Sequence, residues 1–104
     1  MTQFDIFENP IARARRAYPF VVVLQSDLAE TGRDRIVAPL VPRARLAGTA
    51  GRLTPHVRVS GADHVLLVPS MAAMRADDLK ANRGQLAAYR NDIVAALDFL
   101  FLGV

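Results

Sequence analysis

The chain has 104 residues, of which 52% are hydrophobic and 22% are charged, and it contains no cysteine. This length fits a single domain, 1–104, that buries about two thirds of the surface its unfolded form exposes, and the composition is far from that of disordered proteins. The lack of cysteine excludes disulfide frameworks, thiol nucleophiles and cysteine zinc sites. Residues 2–5 combine neither a basic start nor an apolar run, so we expect no signal peptide and a cytoplasmic protein.

The formal net charge is +3, and the excess of basic residues lies in the first half of the chain. Residues 1–58 hold nine arginines against five acidic residues, whereas residues 59–104 hold four basic residues against five acidic ones. Twelve of the thirteen basic residues are arginine, a residue that suits recognition of carboxylate or phosphate groups. The first half is therefore expected to face an acidic partner or solvent, and we interpret the arginine-rich loop 11–17 as a solvated surface.

The first half of the chain shows three strand patterns. Apolar and polar residues alternate over 4–8, which predicts a short strand ended by the Asn-Pro pair that follows. Residues 18–25 form a continuous run of β-branched and aromatic residues, typical of a central strand covered on both faces. The next strand, 34–40, is expected to end at Pro39 and Pro42, because proline cannot donate to a sheet.

The second half begins with a glycine-containing stretch, 44–52, that we interpret as a flexible loop. A hairpin is then predicted from 53–59 and 64–68, which alternate or run apolar on either side of a tight turn at 61–63. The residues 71–74 that follow are expected to form a last short strand or a helical turn.

A polar connection, 77–83, leads to a predicted terminal helix. Apolar residues recur there at the spacings of three and four that line one helix face, namely Leu86, Tyr89, Ile93, Leu97 and Leu100. After Ile93 only Asp98 is charged, so the helix is apolar nearly all round. Such a helix is expected to be buried on more than one side, by the core or by a second chain. The run is shorter than the ~20 residues that a bilayer requires, so we expect no membrane insertion. Gly103 is expected to end the helix.

Several short strands followed by one helix predict a mainly β fold, a small antiparallel barrel or curled sheet with the C-terminal α-helix packed across it. The chain shows no recognisable catalytic set, because Asp27, Asp34 and Asp98 have no paired base. His56 and His64 alternate with apolar neighbours and are expected to point outward from strands, with no third ligand for a metal. We therefore expect no metal and no cofactor.

Three segments recur in a characteristic order and spacing: residues 18–28 (YPFVVVLQSDL), 35–40 (RIVAPL), and the ending 90–93 (RNDI) with 101–104 (FLGV). Together they resemble the CcdB family, the toxin component of toxin–antitoxin pairs. The opening Gln3-Phe4, the loop 44–46 and the segment 53–55 also fit in register, so the resemblance covers essentially the whole chain.

The resemblance implies a homodimer of SH3-like barrels, each with a C-terminal helix, on the fold that CcdB shares with MazF-type toxins. It implies binding to the A subunit of DNA gyrase, trapping of the cleaved-DNA complex, and neutralisation by a CcdA-like antitoxin. The resemblance thus implies a poison of gyrase, with no known catalysis of its own. No direct, specific binding to nucleic acid is expected.

The resemblance also implies the residues that contact gyrase. They are Ser26, Leu28 and Ala29 after the central strand, and Asp98, Leu102, Gly103 and Val104 at the C-terminus. The first three also suit an ordinary turn, because serine and aspartate favour turns in any protein. The basic loops 13–16 and 43–52 are expected to attract an acidic antitoxin segment that folds on binding.

Two of these residues depart from the family pattern. Leu102 stands where the pattern has a tryptophan that is expected to stack on a gyrase arginine, an attraction of about 0.5–2 kcal/mol that leucine lacks. Asp98, four residues earlier and on the same helical face, stands where the family often has asparagine. Its carboxylate either pairs with the incoming arginine or only keeps the helix soluble.

Two alternative functions stay open. The basic first half also suits a MazF-like endoribonuclease, which would use arginines for phosphate and an acid or hydroxyl for proton transfer. Leu102 also suits a CcdB relative that no longer binds gyrase and only binds an antitoxin.

Overall fold

The computed structural model describes residues 1–29, 31–46 and 51–104. Within these residues the chain forms the strands β1 (Asp5–Glu8), β2 (Phe20–Val23), β3 (Asp34–Pro42), β4 (His56–Val59), β5 (Ala62–Leu66), β6 (Ala72–Arg75) and β7 (Asn82–Gln85) and the helix α1 (Arg90–Leu102). Short 3₁₀ turns lie between them at Ala12–Ala14, Arg43–Arg45, Val68–Ser70, Ala76–Asp78 and Ala87–Tyr89. The predicted class, a mainly β chain with a C-terminal helix, is confirmed.

All described strands belong to one antiparallel sheet in the order β4-β5-β3-β2-β1-β7, while β6 pairs separately with β3. The sheet curls into a half-barrel. β2 lies in its middle, between β1 and β3, and its valines are buried on both faces, as predicted for residues 18–25. Val22 belongs to the core under α1, whereas Val21 and Val23 belong to a second core on the other face.

β3 is longer than predicted, because it runs through Pro39 and ends only at Pro42. One edge of β3 pairs with β2 over residues 37–40, and the other edge pairs first with β6 and then with β5. The carbonyl of Pro39 accepts a 2.9 Å hydrogen bond from the Leu67 amide, on that second edge. The backbone nitrogen of Pro39, which carries no hydrogen, faces the same edge. At this position β6 has ended and β5 has not begun. Proline therefore interrupts no ladder there.

The main core lies between the curled sheet and α1. Its fully buried members come from every part of the chain, including Val22, Leu40, Leu66, Leu86, Ile93 and Ala96. Each large side chain buried in this way contributes about 1.5–3 kcal/mol, so this core holds the helix on the sheet. Among the described helix residues, only Ile93 and Ala96 are completely buried, and both lie in its first seven residues.

The predicted hairpin is formed by β4 and β5, but its turn lies earlier than expected. Ser60 and Gly61 have φ angles of 51° and 79°, the left-handed pair of a two-residue hairpin turn. Ala62 and Asp63, predicted as part of the turn, pair with β4 instead.

The prediction that both histidines point outward is wrong for His64. His56 is exposed, but His64 is buried, pairs with Val57 and stacks its ring 5.8 Å from that of Phe20. Its Nδ1 donates a 3.0 Å hydrogen bond to the Ala62 carbonyl, which satisfies the polar ring locally. The reason is that this end of β5 is covered on both faces, so alternation with apolar residues does not mark a solvent face there.

The segment 71–74 forms a strand, β6, and the predicted polar connection 77–83 contains the start of another strand, β7. β7 pairs with β1 at the edge of the sheet, and all its side chains are exposed. An edge strand of this kind has no apolar alternation to reveal it. An exposed ion pair of 3.0 Å between Arg83 and Glu8 crosses the two strands.

α1 begins at Arg90, so Leu86 and Tyr89 precede it, and it ends at Gly103 as predicted. The predicted loop 44–52 overlaps the 3₁₀ turn Arg43–Arg45 at its start and a small turn bridged between Gly51 and Thr54 at its end, and 47–50 lie outside the described residues. None of the helices in the described chain has the length and apolar content needed to cross a bilayer.

Candidate functional site

The loop after β2 carries the first group of predicted contact residues, and it is a compact turn. The Ser26 hydroxyl accepts a 3.1 Å hydrogen bond from the Leu28 amide, and the Ser26 carbonyl accepts a 3.0 Å bond from the Ala29 amide. The turn interpretation of Ser26 is therefore correct as far as its local contacts go. It leaves the side chain of Leu28 pointing into solvent, with 92% of its surface exposed.

Gln25 holds this loop in place, a role that the sequence alone did not reveal. Its Nε2 donates hydrogen bonds of 3.3 Å to the Ala29 carbonyl and 2.9 Å to the Thr31 hydroxyl, while its Oε1 accepts 2.7 Å from the Ile36 amide. One half-buried amide thus joins both sides of the loop to β3. The Asp27 carboxylate adds a 2.7 Å bond from the Gln3 amide.

The second group lies at the end of α1. After Ala96 only Leu97 still packs against the core, and the exposed fraction of the side chains rises to 67% at Phe101, 71% at Leu102 and 73% at Val104. These strongly exposed apolar side chains lie together at the end of the chain, and we call them the C-terminal apolar surface: Phe101, Leu102 and Val104. Exposure of several large apolar side chains together marks an interaction site more often than a scattered single residue does.

Gly103 fixes the geometry of this end. Its φ of 73° is left-handed, and its amide donates a 3.1 Å hydrogen bond to the carbonyl of Phe99. That bond satisfies one of the carbonyls that every helix end leaves free. The chain therefore turns off the helix axis at a defined point and directs Val104 away from the core.

Asp98 is exposed, and within the described residues its carboxylate forms no hydrogen bond or ion pair. It lies four residues before Leu102, so the two side chains project from neighbouring positions on one helical face. The arrangement places a free anion beside the C-terminal apolar surface.

The structure does not join the two groups by direct bonds. Over the described chain, no hydrogen bond or ion pair links residues 26–29 to residues 98–104. The link runs instead to the start of the helix, since Arg90 donates 3.1 Å to the Gln3 side chain, which donates 2.9 Å to the Leu24 carbonyl. These hydrogen bonds tie the loop after β2 to the first turn of α1 and not to its last turn.

The arginine-rich loop 11–17 is pinned to the end of β1. Asn9 is buried, donates 2.9 Å to the Tyr18 carbonyl and accepts 2.9 Å from the Ile11 amide. Arg15 contacts the Asn9 carbonyl at 2.6 Å and Glu8 at 3.3 Å. The loop borders an open cleft of about 630 Å³ whose charged lining residues are Glu8, Arg15, Arg75, Asp78 and Lys80.

A second cleft, of about 330 Å³, lies between the segment 51–56 and α1. Arg52, His56 and Asp92 are among its lining residues, and Arg43 donates a 3.2 Å hydrogen bond to Nδ1 of His56. This grouping was missed because Asp92 lies 36 residues beyond His56 and no motif connects them. Across the part of the chain that the structure describes, no three histidine or carboxylate side chains stand close enough to hold a metal ion.

Comparison with known proteins agrees with the resemblance. The family model described as CcdB protein matches residues 3–103, nearly the whole chain. No curated protein matches the chain. The matched range includes the loop after β2 and all of α1 with Gly103, the regions in which the exposed apolar side chains lie. The chain therefore belongs to the CcdB family, and is thus a toxin of the toxin–antitoxin kind.

Proposed function

We propose that this protein is a homodimeric toxin that binds the A subunit of DNA gyrase in the cytoplasm and traps the cleaved-DNA complex. A CcdA-like antitoxin neutralises it. The observation that carries the proposal is the C-terminal apolar surface, in which Phe101, Leu102 and Val104 are 67%, 71% and 73% exposed at the end of a helix. A side chain of this kind gains about 1.5–3 kcal/mol when a partner buries it.

The homodimer accounts for the rest of the apolar helix surface. Leu100 is 36% exposed and Leu97 and Val94 are only partly buried, although all three are large and apolar. We propose that a second copy of the chain covers this side of α1, while the last turn stays available to gyrase. The interface would then be hydrophobic, as those of permanent dimers are.

Asp98 is proposed to accept an arginine of gyrase. The carboxylate has no partner among the described residues, so binding breaks no existing ion pair. A charge-assisted hydrogen bond beside Leu102 offsets part of the cation–π attraction that the family's tryptophan supplies.

Leu28 is proposed to supply the second contact. A 92% exposed leucine on a loop held by four hydrogen bonds of Gln25, Ser26 and Asp27 loses little conformational freedom on binding. Ser26 and Ala29 flank it and are also exposed. We assign these three residues to the gyrase interface as neighbours of one apolar contact.

The antitoxin is proposed to bind the cleft beside the loop 11–17. Arg15, Arg75 and Lys80 line it with apolar Ile11 and Met74, against two carboxylates, Asp78 and Glu8, and Glu8 is paired with Arg15 and Arg83. An acidic, disordered segment with interspersed apolar residues matches this lining.

A ribonuclease is the second candidate, because His56, Arg43 and Arg52 gather at the second cleft. Metal-independent cleavage of RNA requires a proton acceptor beside cations that hold the phosphate, and this group contains both kinds of residue. The C-terminal apolar surface has no role in such an activity, which is why gyrase is preferred.

The deciding experiment is a gyrase cleavage assay with purified protein and supercoiled plasmid, run beside a variant that lacks Gly103 and Val104. Linear DNA that accumulates only with the intact protein supports gyrase poisoning through the C-terminus. The control is Asp77→Asn, an exposed change outside both groups of proposed contact residues, which should behave like the wild type.

Absence of linear DNA with folded protein would reject the gyrase proposal. Binding of an acidic antitoxin segment by that protein would then identify a relative that only binds antitoxin. RNA cleavage lost in His56→Ala, and kept in the truncated variant, would establish the ribonuclease instead.

A further inference from the structure

We infer that Arg52 is a positioning residue, which holds the last two turns of α1 in the orientation that presents Asp98 and Leu102 to a partner. Its guanidinium carbon lies 3.9 Å from the centre of the Phe99 ring. This is well inside the ~6 Å within which a cation is attracted to an aromatic face. Arg52 stacks on this ring and makes no ion pair with a described carboxylate.

The end of α1 needs such support, because its other attachments stop earlier. Ile93 and Ala96 are the buried residues of the helix, and the arginine at its start bonds to Gln3. Beyond Ala96, as far as the described residues go, no hydrogen bond or ion pair runs from the helix to another element. Leu97 is the last helix residue packed against the core, and helix ends with few tertiary contacts fray, so the stacking of Arg52 on Phe99 adds to the order of the last turn.

Arg52 itself is firmly placed. It lies in the turn bridged between Gly51 and Thr54, where the Thr54 amide donates 3.1 Å to the Gly51 carbonyl. Pro55, three residues further on, is buried, and its carbonyl accepts a 3.0 Å hydrogen bond from the amide of Leu66, the last residue of β5. The guanidinium of Arg52 therefore links the end of the helix to the sheet.

Phe99 is the residue through which this support reaches the proposed site. It precedes Leu102 by three positions, so these two side chains are neighbours on the helix surface, and Asp98 is the residue directly before it in the backbone. Its carbonyl also accepts the amide of Gly103, the bond that turns the chain off the helix. An ordered Phe99 therefore orders the residues on either side of it. The structural role of Arg52 is independent of the proposed function. Only its effect on gyrase binding rests on that proposal.

The first test is amide hydrogen exchange of residues 100–103 in the purified protein, without any partner. A surface cation–π contact corresponds to about a twofold to fivefold change in an equilibrium, so Arg52→Ala and Phe99→Leu should each speed this exchange by about that factor. Arg52→Lys, which keeps a cation, should recover part of the protection. Arg33→Ala removes an exposed arginine elsewhere and should change nothing. Exchange in Arg52→Ala equal to that of the wild type would overturn the inference.

The second test is the affinity for the gyrase A subunit. Arg52→Ala should weaken it about twofold to fivefold, and the double variant with Phe99→Leu should be no weaker than the worse single variant. A higher affinity in Arg52→Ala would overturn the inference, since Arg52 would then obstruct the site. Faster exchange in Arg52→Ala, without gyrase binding by any variant, would confirm the positioning role and reject the gyrase proposal.

Discussion

The side-chain amide of Asn9 donates a 2.9 Å hydrogen bond to the carbonyl of Tyr18, nine residues further along the chain. Asn9 also accepts the amide of Ile11 at 2.9 Å, so one buried side chain closes the whole arginine-rich loop. Its loss leaves a partly buried carbonyl and a partly buried amide without this partner.

We therefore expect Asn9→Ala to lower the free energy of unfolding by about 1–3 kcal/mol, the range for an unsatisfied buried polar group. Chemical denaturation measures this. Asn82→Ala is the matched control, because Asn82 is exposed and its single bond to the Gly84 amide is accessible to water. If Asn82→Ala lost as much stability as Asn9→Ala, the burial of Asn9 would not explain the effect.

Gly103→Ala should weaken gyrase poisoning about fivefold, because alanine disfavours the left-handed φ of 73° by about 1 kcal/mol. No other atom lies within 4 Å of the added Cβ, so the effect is conformational and not steric. Gly61→Ala serves as control, since its φ of 79° is also left-handed and its Cβ also meets nothing, but it lies in the turn between β4 and β5. The yield of linear DNA in the cleavage assay is the readout, and equal yields for both variants would argue against a required turn at residue 103.

Asp98→Asn should weaken binding to the gyrase A subunit by about 1 kcal/mol, or fivefold, because a neutral amide forms a weaker bond to an arginine. The difference from the wild type should shrink in high salt, which screens the carboxylate. Asp77→Asn, an exposed aspartate far along the chain from the helix, should show neither effect. Unchanged affinity in Asp98→Asn would mean that Asp98 only keeps the helix soluble.

Leu28→Ser and Ile11→Ser test whether gyrase and the antitoxin bind to separate surfaces. Both side chains are exposed, at 92% and 43%, so neither change should alter the free energy of unfolding by more than about 0.5 kcal/mol. Leu28→Ser should reduce gyrase affinity about tenfold and spare antitoxin binding, because a buried leucine contributes at least ~1.5 kcal/mol. Ile11→Ser should do the reverse. Titration calorimetry with each partner checks both, and parallel losses in the two variants would refute separate surfaces.

Leu102→Trp should raise gyrase affinity by a factor between about 2 and 30, as expected for a cation–π attraction of ~0.5–2 kcal/mol. The side chain at 102 is 71% exposed, so the larger ring meets no obstacle in the chain itself. Leu102→Ala should lower the affinity instead. Tryptophan that binds no better than leucine would indicate that no arginine of gyrase approaches this position.

Parts of the fold with a strong apolar signal could be predicted from the sequence. The run of valines in β2 and the spacing of Ile93 and Leu97 in α1 directly reflect burial, the largest stabilising term in folding. Gly103 was equally predictable, because the left-handed end of a helix strongly favours glycine.

The missed features depend on neighbours that are distant in sequence. β7 is a strand only because β1 pairs with it, and none of its own side chains is buried. Pro39 is tolerated because β6 and β5 leave a gap on one edge of β3. The burial of His64 depends on Phe20, 44 residues earlier. Periodicity along one chain carries no information about such pairings.

The candidate site also has a part that could be predicted from the sequence and a part that could not. Its residues came from resemblance to a family, whereas the contacts that hold them, through Gln25 and Arg52, became apparent only in three dimensions. Neither residue belongs to a motif, and each acts through a neighbour that the sequence does not indicate.

β3 has a consequence for the cooperativity of unfolding. Its nine residues are hydrogen-bonded to β2 on one edge and to β6 and β5 on the other, and its side chains belong to both cores. β3 therefore joins the two halves of the sheet and both cores, so we expect the domain to unfold in a single step in which both cores are lost together.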